Sequence, residues 1–252
     1  SFLFIGMFII GLGSLQAQVE IDGDPTEWGT TDVIDLPTHQ HNVDFYGNGV
    51  VDDQFTTGSK DFFECGNTAS QYLVWTNGQT KAKNDIANGA AVVITNPTDT
   101  PLGLGNSPGD TYLFFAGDRT SNNGDAQIGF WFYIGETGPV FDEGSSTKGF
   151  FSPNHTIGDL LILSDFTGGG KNASVTVYRW VGEGEGDFGN NNSLDEVLGI
   201  RASVAIHNRS PALIPNGWKY EADQYPVNAF YEGVVDLSLL ELPDDEDFCS
   251  AS

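Results

Sequence analysis

Positive charge is scarce in this chain: ten Lys and Arg residues stand against 35 Asp and Glu, a net charge of −25 over 252 residues. That deficit excludes general nucleic-acid binding, because phosphate neutralisation requires Lys and Arg. It disfavours anionic membranes as well, and leaves cations and neutral molecules as the natural partners. Cysteine is almost absent too. Cys65 and Cys249 stand alone, with no C-x-x-C or Cys/His spacing of the kind that zinc or redox sites use. No G-x-S-x-G and no H-E-x-x-H occurs, so the common hydrolase and metalloprotease signatures are missing. After the first residues no apolar run approaches the roughly 20 residues that a membrane-spanning helix needs.

The one long apolar run is Phe2–Leu12 (FLFIGMFIIGL). Its length is that of a signal-peptide core, and Ala17 before Gln18 supplies the small residue expected at a cleavage site. Residues 1–17 are therefore expected to be a signal peptide that begins before Ser1, and residues 18–252 a single exported domain. The acidic end Pro243–Ser252 follows directly on a strand pattern and reads as continuing into a longer polypeptide. In an oxidising compartment Cys65 and Cys249 can form a disulfide, worth about 4–5 kcal/mol in the chain-entropy model, or remain two thiols. Direct membrane insertion of the mature chain is not expected.

What is present is strand pattern. Aromatic and β-branched residues gather in Thr111–Ala116, Ala126–Ile134, Asp159–Leu163, Ser174–Val181, Ala202–Ile206 and Phe230–Leu237, with weaker runs at Val19–Ile21, Tyr72–Thr76 and Ala90–Thr95. Turn-forming residues separate them at 118–125, 167–172 and 183–192. Only Asn84–Gly89 and Leu194–Leu198 read as short helical pieces. The expected fold is all-β, an antiparallel β-sandwich of jelly-roll type.

Three constellations could carry chemistry. Period two places Trp131 and Tyr133 on one face of their strand, and Tyr178 and Trp180 on one face of theirs. If the two strands share a sheet, the four rings form a platform suited to sugar rings; otherwise loops cover them. The loop between two strong strands offers Asp118, Asn122, Asn123 and Asp125 as oxygen ligands for calcium, although the same residues also read as Asx turns with an Asp118–Arg119 ion pair. For an enzyme, Glu64, Glu136 and Glu232 are the carboxylates nearest apolar segments, where a raised pKa would suit glycoside hydrolysis. His39 and His41 could face one way on a strand, without an evident third ligand; His155 and His207 carry no nucleophile signature. Lys60, Lys83, Arg119 and Arg179 read as organisers of polar networks among so many carboxylates, and Asn154, Asn172, Asn191 and Asn208 open glycosylation sequons that matter only in a eukaryote.

Ile21-Asp-Gly-Asp-Pro-Thr-Glu-Trp28 resembles the D-G-x-x-x-x-W opening of family 9 carbohydrate-binding-like modules. The ordered set of segments 52–61, 83–86, 110–119, 123–132 and 177–182 is similar to the N-terminal β-sandwich region of large exported surface proteins of adhesin type, and the Gln-Ala before Gln18 is similar to Bacteroidota leader ends. The resemblance covers residues 20–250 and implies a secreted or cell-surface protein acting in adhesion or matrix attachment. It brings no catalytic residues with it. The sequence thus reads as a non-catalytic extracellular module that binds a glycan or matrix component. A structural spacer within a larger surface protein is the first alternative, and a polysaccharide-acting hydrolase or lyase the second.

Overall fold

A computed structural model of the protein describes residues 19–43, 74–76, 85–95, 109–135, 138–141, 143–144, 148–152, 155–167, 172–182, 184–187, 193–197 and 204–239. Fourteen strands run through these residues. They are β1 (Gln40–Val43), β2 (Val74–Thr76), β3 (Asn88–Thr95), β4 (Thr111–Asp118), β5 (Ala126–Phe132), β6 (Gly138–Phe141) and β7 (Lys148–Ser152) in the first half. The second half holds β8 (Leu160–Thr167), β9 (Asn172–Trp180), β10 (Leu194–Glu196), β11 (Val204–His207), β12 (Ala212–Leu213), β13 (Gln224–Tyr225) and β14 (Phe230–Asp236). Among the described residues, helix is confined to a 3-10 turn at Pro25–Gly29, the single turn α1 (Thr31–Ile34) and a 3-10 turn at Leu237–Leu239. None of the described helices is long and apolar enough to cross a membrane.

All pairings are antiparallel. The larger sheet has the order β1-β3-β4-β14-β11, and the second the order β10-β9-β8-β5; β2-β7-β6 and β12-β13 form two small sheets. The larger pair builds an antiparallel sandwich, and the all-β class expected from the sequence is the class observed. Jelly-roll connectivity is a finer statement than these strand orders carry.

Burial explains why TYLFFA does not alternate between apolar and polar. The larger sheet is covered on both faces, so β4 and β14 are buried along nearly their whole length. Toward the second sheet, Leu113, Phe115, Tyr231 and Val235 pack with Leu160, Ile162, Phe166 and Val177. On the opposite face Tyr112, Phe114, Ala116 and Val234 pack with Val19, Ile21, Trp28, Val33, Trp218 and Tyr225. Each such fully buried large side chain contributes about 1.5–3 kcal/mol.

That second layer is tied down by a buried carboxylate. Glu232, at the middle of β14, accepts from the backbone N–H of Asp22 (3.0 Å) and Gly23 (2.6 Å) and from Trp28 Nε1 (3.0 Å). Asp24 caps the following turn by accepting from Thr26 N, and Pro25 starts it where no N–H is needed. Gly23 has φ +86°, and a Cβ there would meet the carbonyl of His207 at 2.8 Å. The residues Ile21–Trp28 therefore form a plug: a glycine turn, a capped helical turn and a tryptophan, all locked on Glu232.

Two short segments differ from expectation. Leu194–Leu198 was expected to be helical, but Leu194–Glu196 is strand β10, because its backbone pairs with Tyr178–Trp180 at the edge of the second sheet. Asn84–Gly89 is likewise not a helix over its described part: Asn88 and Gly89 begin β3. In both places tertiary pairing overrides a weak local pattern. Val19–Ile21 joins the core as irregular chain rather than as a strand.

Candidate functional site

The second sheet turns one face inward and the other away from the sandwich. Register settles which residues share the outward face. Trp131 on β5 lies opposite Leu161 on β8, Leu161 opposite Tyr178 on β9, and Tyr178 opposite Glu196 on β10. Four strands thus place an indole, an aliphatic floor, a phenol and a carboxylate in one row. Two rows away on the same face come Gln127, Asp165 and Ser174, with Gln127 Nε2 donating to Asp165 Oδ1 at 2.7 Å. Leu161 and Leu163 are buried, whereas Trp131, Tyr178, Thr176 and Asp165 are half-buried and Gln127 and Glu196 exposed. Burial raises the Tyr178 phenol above its ordinary pKa, and the charges of Glu196 and Asp165 push it the same way.

At the other end of this face the rings converge on a histidine. Trp131 stacks near-parallel on Tyr133 (6.0 Å, 15°), and His155 sits between Trp131 (4.2 Å) and Trp180 (4.3 Å), with Tyr133 at 5.3 Å. His155 Nδ1 lies 3.0 Å from Asp159 Oδ2, and the two side chains are only 2% and 1% exposed. Asp159 in turn accepts from the backbone N–H of Ile134 and Thr156. With Nδ1–H donated to a carboxylate, the neutral ring presents Nε2 as an acceptor. Among the described residues neither His155 Nε2 nor Trp131 Nε1 has a hydrogen-bond partner. An oriented His–Asp pair is half of a nucleophilic device; among the described residues no hydroxyl or thiol bonds Nε2. Burial and the Asp159 charge raise the Tyr133 phenol well above its usual range.

The four rings singled out from the sequence thus stand on one face of one sheet, in two different states. Trp131 and Tyr178 flank Leu161 and remain half-buried, while Trp180 is 6% exposed beneath His155. No periodicity in the sequence pointed to His155 or Asp159. They follow β7 in a loop, and only the fold brings that loop over the sheet.

The loop residues expected to bind calcium stand in different settings. Asp118 is buried, and its oxygens accept from the N–H groups of Ala87 and Asn88, from Asn88 Nδ2 and from Tyr225 Oη. Burial raises its pKa to about 6, against those four donors. Asn122 Nδ2 donates to the carbonyl of Val227, and Asn123 and Asp125 are exposed. The physical reason is register: Asp118 is the last residue of β4, where its side chain points into the outer layer with Asn88 and Tyr225. Among the described residues no group of three His, Cys, Asp or Glu could hold a metal. Arg119 does not pair with Asp118; its Nε and one terminal nitrogen donate to the carbonyl of Asn228.

The remaining candidates divide by burial. Glu232, a nominee for acid–base work, has its carboxylate held by the plug; burial raises its pKa to about 8, against three donors. His41 stacks on Trp218 at 5.1 Å, with Nε2 3.4 Å from Asn88 Oδ1, and burial lowers the pKa of both His39 and His41. Asn208 cannot accept a glycan: it is 1% exposed, its amide donates to the carbonyls of Ser210 and Pro226, and its Oδ1 accepts from Phe230 N. The expected signal peptide, Lys60, Glu64, Lys83, Glu136 and the expected Cys65–Cys249 pair lie outside the described residues.

No family model, curated protein or solved structure matches this chain.

Proposed function

We propose that this protein is a non-catalytic extracellular binding module that takes a neutral glycan on the outward face of its second sheet. The observation that supports this reading most is the row Trp131–Leu161–Tyr178. Two half-buried rings flank an apolar floor, and Thr176, Gln127, Asp165 and Glu196 border them on the same face. A sugar ring has apolar C–H faces and a polar rim, so it needs this combination of flat aromatic surface and nearby hydrogen-bonding groups. Asp165 and Glu196, in a chain of net charge −25, repel sulfated and uronic polymers and favour neutral or amino sugars. Export through the apolar leader and a place at the cell surface belong to the same reading.

Titration of residues 18–252 with neutral oligosaccharides, followed by tryptophan fluorescence, tests it. Saturable quenching or a blue shift that disappears in Trp131→Ala and Tyr178→Ala supports the reading. Unchanged fluorescence across neutral glycans, with no capture on a glycan array, contradicts it.

A second reading rests on the other half of the same face. Trp180 is buried under His155, and His155 is fixed by Asp159, which suits a structural spacer whose rings pack the fold. In that case Trp131→Ala lowers stability and no glycan binds.

A further inference from the structure

Among the described residues, one buried positive charge in the sandwich has no ion-pair partner. Arg119 is 0% exposed and follows β4, where the odd-numbered residues face the second sheet. Its guanidinium carbon lies 4.9 Å from the centre of the Phe166 ring on β8, and two of its nitrogens donate to the Asn228 carbonyl. The third nitrogen, Nη1, has no partner, and no carboxylate forms an ion pair with Arg119 among the described residues. A buried guanidinium left in this state is expensive unless something neutralises it.

A second unpaired donor stands beside it. Tyr231, 1% exposed, packs edge-on against the same Phe166 ring at 5.0 Å, and its hydroxyl has no hydrogen-bond partner. The chain makes room for that hydroxyl. Tyr231 pairs with Gly117 on β4, and Gly117 pairs with Gly89 on β3. A Cβ on Gly117 would meet Tyr231 Oη at 2.5 Å. Two facing glycines therefore leave the inner surface bare where the phenol lies, two residues before Arg119 on the same face of the strand.

We propose that Arg119 Nη1 and Tyr231 Oη together bind a small monovalent anion, chloride being the ion of this class at hand in any extracellular fluid. A guanidinium N–H and a phenol O–H are both donors, and the charge to be balanced is positive, so an anion fits where a cation or a second donor would not. Water would satisfy the two donors and leave the charge unneutralised. The predominantly acidic surface does not oppose this: the ion is held inside the sandwich, against Phe166, and its partner is a cation already desolvated.

The test compares thermal unfolding in sodium chloride with unfolding in sodium gluconate at constant ionic strength, because gluconate is too large for the site. Chloride is expected to raise the midpoint with the logarithm of its concentration above its Kd, by about 3–5 °C once it stands roughly tenfold above that Kd. Tyr231→Phe keeps the ring and removes one donor, and is expected to shift the chloride response to about tenfold higher concentration or beyond. Crystals soaked in bromide are expected to show an anomalous peak at hydrogen-bond distance from Arg119 Nη1. A chloride response no larger than that of gluconate, or identical in Tyr231→Phe, would mark a general salt effect and overturn the proposal, as would bromide-soaked crystals with no such peak.

Discussion

The two large sheets use polar and aromatic residues in opposite ways. In the five-stranded sheet three conspicuous polar side chains have been drawn into structure. Glu232 holds the Asp22–Trp28 plug, Asp118 ties Asn88 to Tyr225, and Asn208 bridges two carbonyls and the start of β14. The four-stranded sheet buries one face in the same core but keeps Trp131, Tyr178, Thr176 and Asp165 half-exposed on the other. A carboxylate in an apolar setting is therefore a poor guide to function in this molecule. The informative feature is an aromatic row left half-exposed on the outward face.

The comparison breaks most sharply at the plug. Trp28→Ala empties the centre of the outer layer and strands Glu232, and should lower stability by about 3–5 kcal/mol in denaturant titrations. Asp118→Ala leaves the Tyr225 hydroxyl and the Asn88 amide without their acceptor, and should cost about 3 kcal/mol by the same measurement. Glu232→Gln keeps an acceptor for Asp22 and Gly23 but turns an N–H toward Trp28 Nε1, for a loss of about 1–3 kcal/mol. Tyr178→Ala, on the other sheet, should cost less than any of these and remove glycan binding.

Acidity sharpens the same contrast. Burial raises Glu232 to about 8, Glu27 to about 7 and Asp118 to about 6, all above their unfolded values near 4. For each, the folded state binds a proton that the unfolded state does not, so stability grows as pH falls from about 8 to about 5. The contribution is complete below the unfolded values and is lost as pH rises through the folded ones. The unfolding midpoint should therefore be higher at pH 5.5 than at pH 8.5, and Glu232→Gln should flatten the upper part of that slope.

The fold was legible because its strands are long and rich in aromatic and β-branched residues. Thr111–Ala116, Ala126–Ile134 and Phe230–Leu237 were readable from residue type alone. The platform was legible as two strand faces, but whether β5 and β9 share a sheet depends on β8 lying between them, which period two cannot encode. A loop rich in Asp and Asn looks the same in sequence whether its first carboxylate faces solvent or, like Asp118, ends a buried strand. His155 was invisible for the opposite reason: it acts through a loop placed over the sheet, and no spacing within that loop records what lies beneath it. Ile21–Trp28 showed a motif whose physical content, a carboxylate clamp 204 residues away from its tryptophan, only the structure supplies.

The most direct test of the central claim sets the two sheets against each other in one assay. Wild-type protein, Tyr178→Ala and Glu232→Gln are applied side by side to a glycan array, each well below its own unfolding midpoint. Wild type and Glu232→Gln are expected to bind the same neutral glycans, and Tyr178→Ala none of them. Binding that survives in Tyr178→Ala and fails in folded Glu232→Gln, or silence from all three, would contradict the central claim.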